Sequence, residues 1–474
     1  MEDHMTLYKQ LLTTLTSAFL VVICLVTPSL CAEPVDIGNQ LELFIDNHLI
    51  SKIHGDIQQQ LLKPEPKEVV FVTDEPWEGN TSLYYTFFQD GDIYRMVYRG
   101  WHHDEKKKKA HKAVTCYAES KDGIHWTRPE LGLVEFKGSK KNNIILEGRG
   151  THNFSPFKDE NPNCQPDAKY KALAGLQYEG GLFAFQSADG IQWKQMQEKP
   201  VITKGAFDSQ NLAFWDSDQN TYRTYFRIFT KGVTTAKVWK PEGDRAIRTA
   251  TSDDFLNWKN EADLTYSKGT PPEHLYTNAI QKYFRAPHIF IGFPTRFETK
   301  SQQVEPILMT SRDGHTFHRY ADAVIPRTAP KDRNHNRSNY MAWGMFQLPG
   351  KPNEISVYGT ENYFESTPGR VRRFVYRVDG FVALRGGTDG GQVTTKLLRY
   401  KGQRLLLNYL VRTGGSIGIE VLNESGKVIE KSKPLSGDAI DSQVAWQQDP
   451  NLSQGVVQLR FTLKNADLFS LRFD

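Results

Sequence analysis

The stretch "SKDGIHW", Ser120 to Trp126, returns three times: "SADGIQW" at Ser187 to Trp193, "SDDFLNW" at Ser252 to Trp258, and "SRDGHTF" at Ser311 to Phe317. The four serines stand 67, 65 and 59 residues apart, a period that marks a repeated supersecondary unit. The residue types suit a tight turn. Ser and Asp side chains accept backbone N–H groups, and Gly takes the left-handed position. The closing Trp or Phe is a large apolar plug for packing between units. The motif therefore reads as structural punctuation. The third copy puts Phe255 where the others have Gly, and the fourth ends in Phe317 rather than Trp.

Outward from the turns the texture is β. "LYYTFFQDGDIYRMVYRG" reads as two strands joined at Gln89-Asp90-Gly91-Asp92, with Asp-Gly as the hairpin signal. "AVTCYAESKDGIHWTRP" adds a third strand, the repeat turn and a fourth. The pattern recurs through "NLAFWDSDQN" and "TYRTYFRIFT", then "NAIQKYFRAP" and "HIFIGFPTRF", then "NYMAWGMFQLPGKPN" and "EISVYGTENY". Four strands per unit, repeated, describe propeller blades. The expectation is all-β: a five-bladed β-propeller over residues 41–385, with "LELFIDNHLI" as a candidate closing strand. Residues 386–474 lack the repeat but stay rich in alternating strands, which suits a separate β-sandwich.

Composition narrows the class. The chain has 474 residues, 12% of them aromatic, and a net charge of +4. So small a charge argues against a nucleic-acid binder, and the run Lys106 to Lys109 reads as a solvated loop. "LLTTLTSAFLVVICLVTPSLCAEP" reads as a secretory signal peptide, residues 1–32, cleaved near Ala32. An uncleaved anchor and lipid attachment through Cys31 are the alternatives. The mature chain would be secreted or periplasmic, with no stable membrane insertion. It keeps Cys116 and Cys164, whose pairing stays open. The sandwich is expected to brace the propeller.

In a propeller the start of each inner strand and the end of each second strand share one mouth. The inner-strand starts supply Glu78, Asn80, His152, Asn153, Asp159, Asp208, Asn211, Glu273, His274, Arg337 and Asn339. The second-strand ends supply Arg99, Trp101, His102, Glu179, Arg227, Arg296 and Glu361. Carboxylates across a funnel are what glycoside hydrolysis needs, one as acid and one as base or nucleophile. Trp77 and Trp101 suit stacking on sugar rings. Arg99, Arg227 and Arg296 suit a carboxylate or sulfate group, and so an anionic sugar. The expected substrate is carbohydrate.

The blade-turn motif, the five units and the C-terminal β segment resemble the secreted five-bladed propeller glycosidases, the invertase/levanase and arabinanase/xylosidase families, over almost all of the mature chain. "PWEGN", Pro76 to Asn80, occupies the place of the invertase Trp-Met-Asn-Asp-Pro-Asn-Gly segment, and the Arg-Asp-Pro and Glu-Cys motifs are absent. "DEPWEGN", "FDSQN", "HLYTNA" and "FPTRFE" are more similar to a bacterial branch of exported glycosyl-hydrolase-like proteins. The resemblance implies acids on successive inner strands: Glu78, Asp159, Asp208 and Glu273. It implies Asp208 and Glu273 as the acid/base pair and Glu78 as the third carboxylate. A calcium ion in the funnel is expected only from the resemblance to other propellers, and no spacing motif announces it. A carbohydrate-binding propeller without turnover is the alternative.

Overall fold

In the computed structural model the described residues are 33–104, 111–326, 339–365, 367–448 and 454–474. The expected signal peptide, the lysine run and Arg337 lie outside them. Five four-stranded antiparallel units follow one another along the chain. Unit 1 is Leu83–Asp90, Ile93–Gly100, Val114–Ser120 and Ile144–Glu147. Unit 2 is Ser155–Lys158, Tyr170–Ala174, Phe183–Ser187 and Lys194–Gln195. Unit 3 is Leu212–Asp216, Thr221–Thr234, Trp239–Ser252 and Trp258–Asp263. Unit 4 is Gln281–Tyr283, Ala286–Gly292, Val304–Ser311 and Thr316–Ala323, with short additions at Thr265–Tyr266 and Thr295–Phe297. Unit 5 is Met341–Phe346, Glu354–Glu361 and Arg370–Arg377, completed by Glu65–Val72 from ahead of unit 1.

The closing strand is therefore Glu65–Val72, not "LELFIDNHLI". Glu42–Leu43 from that segment pairs instead with Gln454–Phe473 near the C-terminus. Its Leu41, Leu43 and Ile45 pack against units 4 and 5 in one apolar cluster with Ile289, Leu308 and Phe374. Period-two alternation gives a strand but not its neighbour, so the partner had to come from packing.

Each repeat turn folds as its chemistry predicts. Ser120 Oγ accepts from the N–H groups of Asp122 (3.2 Å) and Gly123 (2.9 Å), and Asp122 Oδ1 accepts from Ile124 and His125, both at 2.8 Å. The Ser187 and Ser311 copies repeat these bonds. Gly123, Gly190 and Gly314 sit at φ 71°, 78° and 70°, and Phe255 takes the same position at 67°. That conformation strains a side chain, but the Phe255 ring is fully buried against Phe157, Tyr222 and Trp258. Burial outweighs strain. Phe255→Gly should relax the backbone yet lower stability by about 2–4 kcal/mol, read from urea unfolding midpoints.

The turns also dock on neighbouring units. Tyr358 of unit 5 donates to Gly123 O in unit 1 (2.7 Å), Arg95 of unit 1 to Asp189 O in unit 2 (2.7 Å), and Tyr225 of unit 3 to Gly314 O in unit 4 (2.7 Å). Unit 5 thus meets unit 1, where Trp343 also bridges Thr86 in parallel register.

The remaining strands form one nine-stranded sheet. It takes Val35–Gly38, Glu42–Leu43 and Ile50–Leu61 from the N-terminal side and six strands from Val382 onward. Val382–Thr395 runs through residue 386 without a break, so the residue-386 boundary falls inside a strand. Alternation sets its core: Ile417, Ile419 and Val421 are buried, while Gly418 and Glu420 face outward. Fully buried Asp379 ties this sheet to unit 4. It accepts from Tyr283 Oη (2.7 Å), Arg285 Nε (3.0 Å), Asn408 Nδ2 (3.2 Å) and Ser470 Oγ (2.9 Å). Cys116 and Cys164 are both free thiols. Among the described residues no helix is long and apolar enough to cross a membrane.

Candidate active site

All five units send side chains to one point, and Asp208 lies at its centre. The loop that carries it is pinned on both sides. Asn153 Nδ2 donates to the carbonyls of Phe207 (2.6 Å) and Ser209 (3.1 Å), and Asn211 Nδ2 reaches the same two, both at 3.0 Å. Ser209 Oγ donates to Tyr276 O (2.7 Å), and Ala206 N donates to Arg227 O (2.8 Å). Asn153 is thus a buried clamp that positions Asp208.

Around the carboxylate stand Tyr84 of unit 1 (Oη to Oδ1 3.1 Å), His152 leading into unit 2 (Nε2 to Oδ1 2.9 Å) and Tyr276 leading into unit 4 (Oη to Oδ2 3.4 Å). Tyr84 reaches inward because its strand slips register between Leu83 and Thr86 and takes φ 57° there. A bulge of this kind re-aims a side chain. Arg99, buried, donates to Thr81 O (2.8 Å) and to Tyr363 Oη of unit 5 (3.0 Å), and its Nη1 lies 2.8 Å from His152 Nε2. The Arg99 guanidinium sits over the Tyr84 and Trp101 rings at 4.8 and 5.1 Å. Arg227, also buried, lies over the Tyr276 ring (4.4 Å) and donates through Nε to Ala206 O (2.8 Å), while its buried Nη1 has no hydrogen-bond partner among the described residues. Arg245 stacks beyond it on Phe229 and Phe297.

The electrostatics follow from this arrangement. Burial works to raise the Asp208 pKa, but the His152 hydrogen bond and the charges of His152, Arg227 and Arg99 hold it well below the usual carboxylate range. Even so, 45% of the Asp208 side chain is exposed, so the site is deep but open. Burial and Arg99 push the His152 pKa down, against the pull of Asp208. The His152 Nε2 faces a donor, Arg99, and an acceptor, Asp208, and can satisfy one at a time. Burial keeps Tyr84 and Tyr276 as phenols, and Tyr363 is pushed up to about 12.

A depressed native pKa means Asp208 stabilises the fold fully above its unfolded value near ~4 and loses that contribution as pH falls through the native value. The stability gap between wild type and Asp208→Asn should therefore narrow as pH drops from about 5 to about 3, measured by urea midpoints across that range.

Other residues singled out from sequence lie elsewhere. The Glu78 side chain has no exposure. It accepts from Tyr98 Oη and from Arg128 Nε and Nη2 (both 2.9 Å), and burial raises its pKa against the Arg128 pull. It is an interior ion pair, closed to substrate. Glu361 is likewise enclosed by Arg370 (2.6 Å) and Arg372 (2.7 Å). Asn80 clamps a loop through His103 and Glu365. Asp159 lies at the far end of the first unit 2 strand, buried with Lys171 and Tyr222.

Glu273 stands three residues before Tyr276, but its side chain turns into unit 4 and pairs with Arg296 (2.9 Å) and Arg319 (3.4 Å) beside a recess of about 230 Å³. Arg296 is spent there, on Glu273 and Glu305. His274 accepts from Arg245 N (3.0 Å) and contacts Asp244 (3.2 Å). Asp208 and Glu273 share no hydrogen-bond or ion-pair partner among the described residues. Among the described residues no group of three or more His, Cys, Asp or Glu side chains is placed to hold a metal ion, and the calcium expectation finds no donor set.

Sequence reasoning missed Tyr84, Tyr276, Tyr340 and Tyr363, whose rings and hydroxyls wall the site. The signal was present in "LYY", "LYTN", "SNYM" and "ENYF", each at a strand end facing this mouth.

No protein-family model matches the chain, and no characterised protein matches it by sequence. Among solved structures it is similar to a family 43 arabinoxylan arabinofuranohydrolase from Bacillus subtilis, at 12% identity and TM-score 0.42, over 84% of this chain and 96% of that one. It is also similar to an endo-arabinase from Bacteroides thetaiotaomicron, at 9% identity and TM-score 0.43, over 66% and 99%. A third is an N-acetylgalactosamine deacetylase from F. plautii, at 12% identity and TM-score 0.39, over 90% and 94%.

Proposed function

We propose that the five units are the blades of a five-bladed propeller, that the nine-stranded sheet is a sandwich bracing it, and that the Asp208 mouth is the active site of an exported glycoside hydrolase. The observation that carries the reading is Asp208 itself. It is an ionised yet accessible carboxylate where five repeated units converge, walled by tyrosines that suit sugar rings and hydroxyls. Asp208 acts as base or nucleophile. The candidate acid is Glu179, on the turn after the second strand of unit 2, where its carboxylate accepts from Leu176 N (2.8 Å) and Gly150 N (3.3 Å) and burial raises its pKa while that of Asp208 is held down. Opposed shifts of this kind separate acid from base in glycosidases. The substrate carries a carboxylate or sulfate, since Arg227 Nη1 is buried with no hydrogen-bond partner among the described residues, beside Arg99 and Arg245.

One observation favours a second reading, a recognition propeller without turnover. Asp208 is the single acidic side chain hydrogen-bonded within the cluster among the described residues. A panel of neutral, uronic and sulfated oligosaccharides, followed by mass spectrometry, separates the two. Release from an anionic member supports the hydrolase. Binding without release over long incubation supports recognition.

A further inference from the structure

The inner strands have a second end. Each inner-strand start faces Asp208, and the opposite ends converge on a cavity of about 950 Å³ to which all five units contribute. From Tyr84 to Gln89 along one strand the two sites stand about 15 Å apart. The channel between them is crossed by Gln210, which donates to Tyr85 O and Thr86 Oγ1, both at 3.0 Å, and by Trp343, which donates to Ile280 O (2.9 Å). The two ends are therefore separate chambers.

The lining of the second chamber is aromatic and amide-rich. Phe214, Phe346 and Phe284 present ring surface, and Phe284 at the lip is 45% exposed. Gln89, Gln281 and Gln347 stand beside them with donors and acceptors. The cations there are neutralised from within the protein. Lys158 pairs with Asp90 (3.0 Å), and Lys282 pairs with Asp216 (2.9 Å) and Asp218 (2.8 Å). Asp159 pairs with Lys171. Glu160, exposed at the edge, opposes an anion. The ligand this suits has an apolar face for the rings, hydroxyls for the amides and no charge. It also fits the size range of ordinary ligand pockets.

We propose that this second mouth binds a neutral oligosaccharide, independently of the Asp208 site. Stacking of the C–H face of a sugar ring on Phe284 supplies attraction, and Gln281 supplies hydroxyl recognition. The arginine-rich mouth selects anionic groups, so the two ends differ in the charge they accept.

The test is saturation-transfer NMR and calorimetry on the full chain with xylotetraose, maltotetraose, laminaritetraose and mannotetraose. At least one should bind. Phe284→Ala and Gln281→Ala, both near the surface, should each weaken it by about three- to tenfold at unchanged melting temperature, whereas Asp208→Asn and Arg227→Met should leave it intact. Two results overturn the proposal. One is no transfer to any of the four sugars. The other is binding that survives both chamber variants but falls in Arg227→Met, which would place the sugar at the Asp208 mouth. Neither result depends on whether the Asp208 site hydrolyses anything.

Discussion

Asp208→Asn should lower turnover of the anionic oligosaccharide by about 10³-fold or more, the scale lost when a glycosidase or hydrolase loses its essential base or nucleophile. The amide keeps the volume of the carboxylate, and its oxygen still accepts from Tyr84 and His152. The fold should therefore survive, and circular dichroism with the melting temperature at neutral pH checks it. The charge does not survive. Arg99, Arg227 and His152 lose the anion that now faces them, so an anionic ligand should bind the variant more tightly than the wild type. Falling kcat with tightened binding identifies Asp208 as the reacting carboxylate beside an anion subsite. Tightened binding in a protein whose wild type releases no product identifies a recognition site. Unchanged turnover removes Asp208 from the mechanism altogether. Glu179→Gln should lower kcat by about 10²-fold and flatten the alkaline limb of the pH profile.

Arg128→Met should lower stability by about 3–5 kcal/mol, because it strands the Glu78 carboxylate in the interior. Desolvation is the dominant influence on Glu78, and Arg128 and Tyr98 are what hold its charge there. Adding Glu78→Leu to Arg128→Met should return much of the loss, since an apolar pair of similar volume removes the buried charge. Urea midpoints of the two single variants and the double variant measure this coupling. Turnover per folded molecule should stay near wild type in all three. A large kcat loss in Glu78→Leu at full folding would return Glu78 to the mechanism.

Glu78 and Asp208 show how far a sequence can be read. Both precede a strand that opens a unit, and both are acidic and followed by a small residue, in "WEGN" and "FDSQN". Nothing local separates them. Their fates diverge because Arg128, 50 residues away in the chain, reaches back to Glu78, while His152 and Tyr84 leave one face of Asp208 open. Glu273 shows the same limit. Its position before Tyr276 was legible, but its direction was set by Arg296 and Arg319, from strands that come later. The tyrosine wall was overlooked for a different reason. A Tyr at a strand edge is ordinary core material in most sheets, and only convergence of several such edges on one point gives it a role.

The sequence alone determined the repeat. Ser, Asp and a residue able to hold positive φ specify each turn by bonds within a few residues, so four copies could be recognised without knowing what lay around them. Alternation then specified strands, and Asp90-Gly91 a hairpin, by equally short-range physics. Tertiary structure decided what short range cannot reach. It decided that Glu65–Val72 closes unit 5, that Ile50–Leu61 joins the C-terminal sheet, and that Asp208 rather than Glu78 or Glu273 meets five units at an open mouth. Each of these depends on partners hundreds of residues away or on other strands, and the energy of such pairings is written in packing and desolvation rather than in any one stretch of chain.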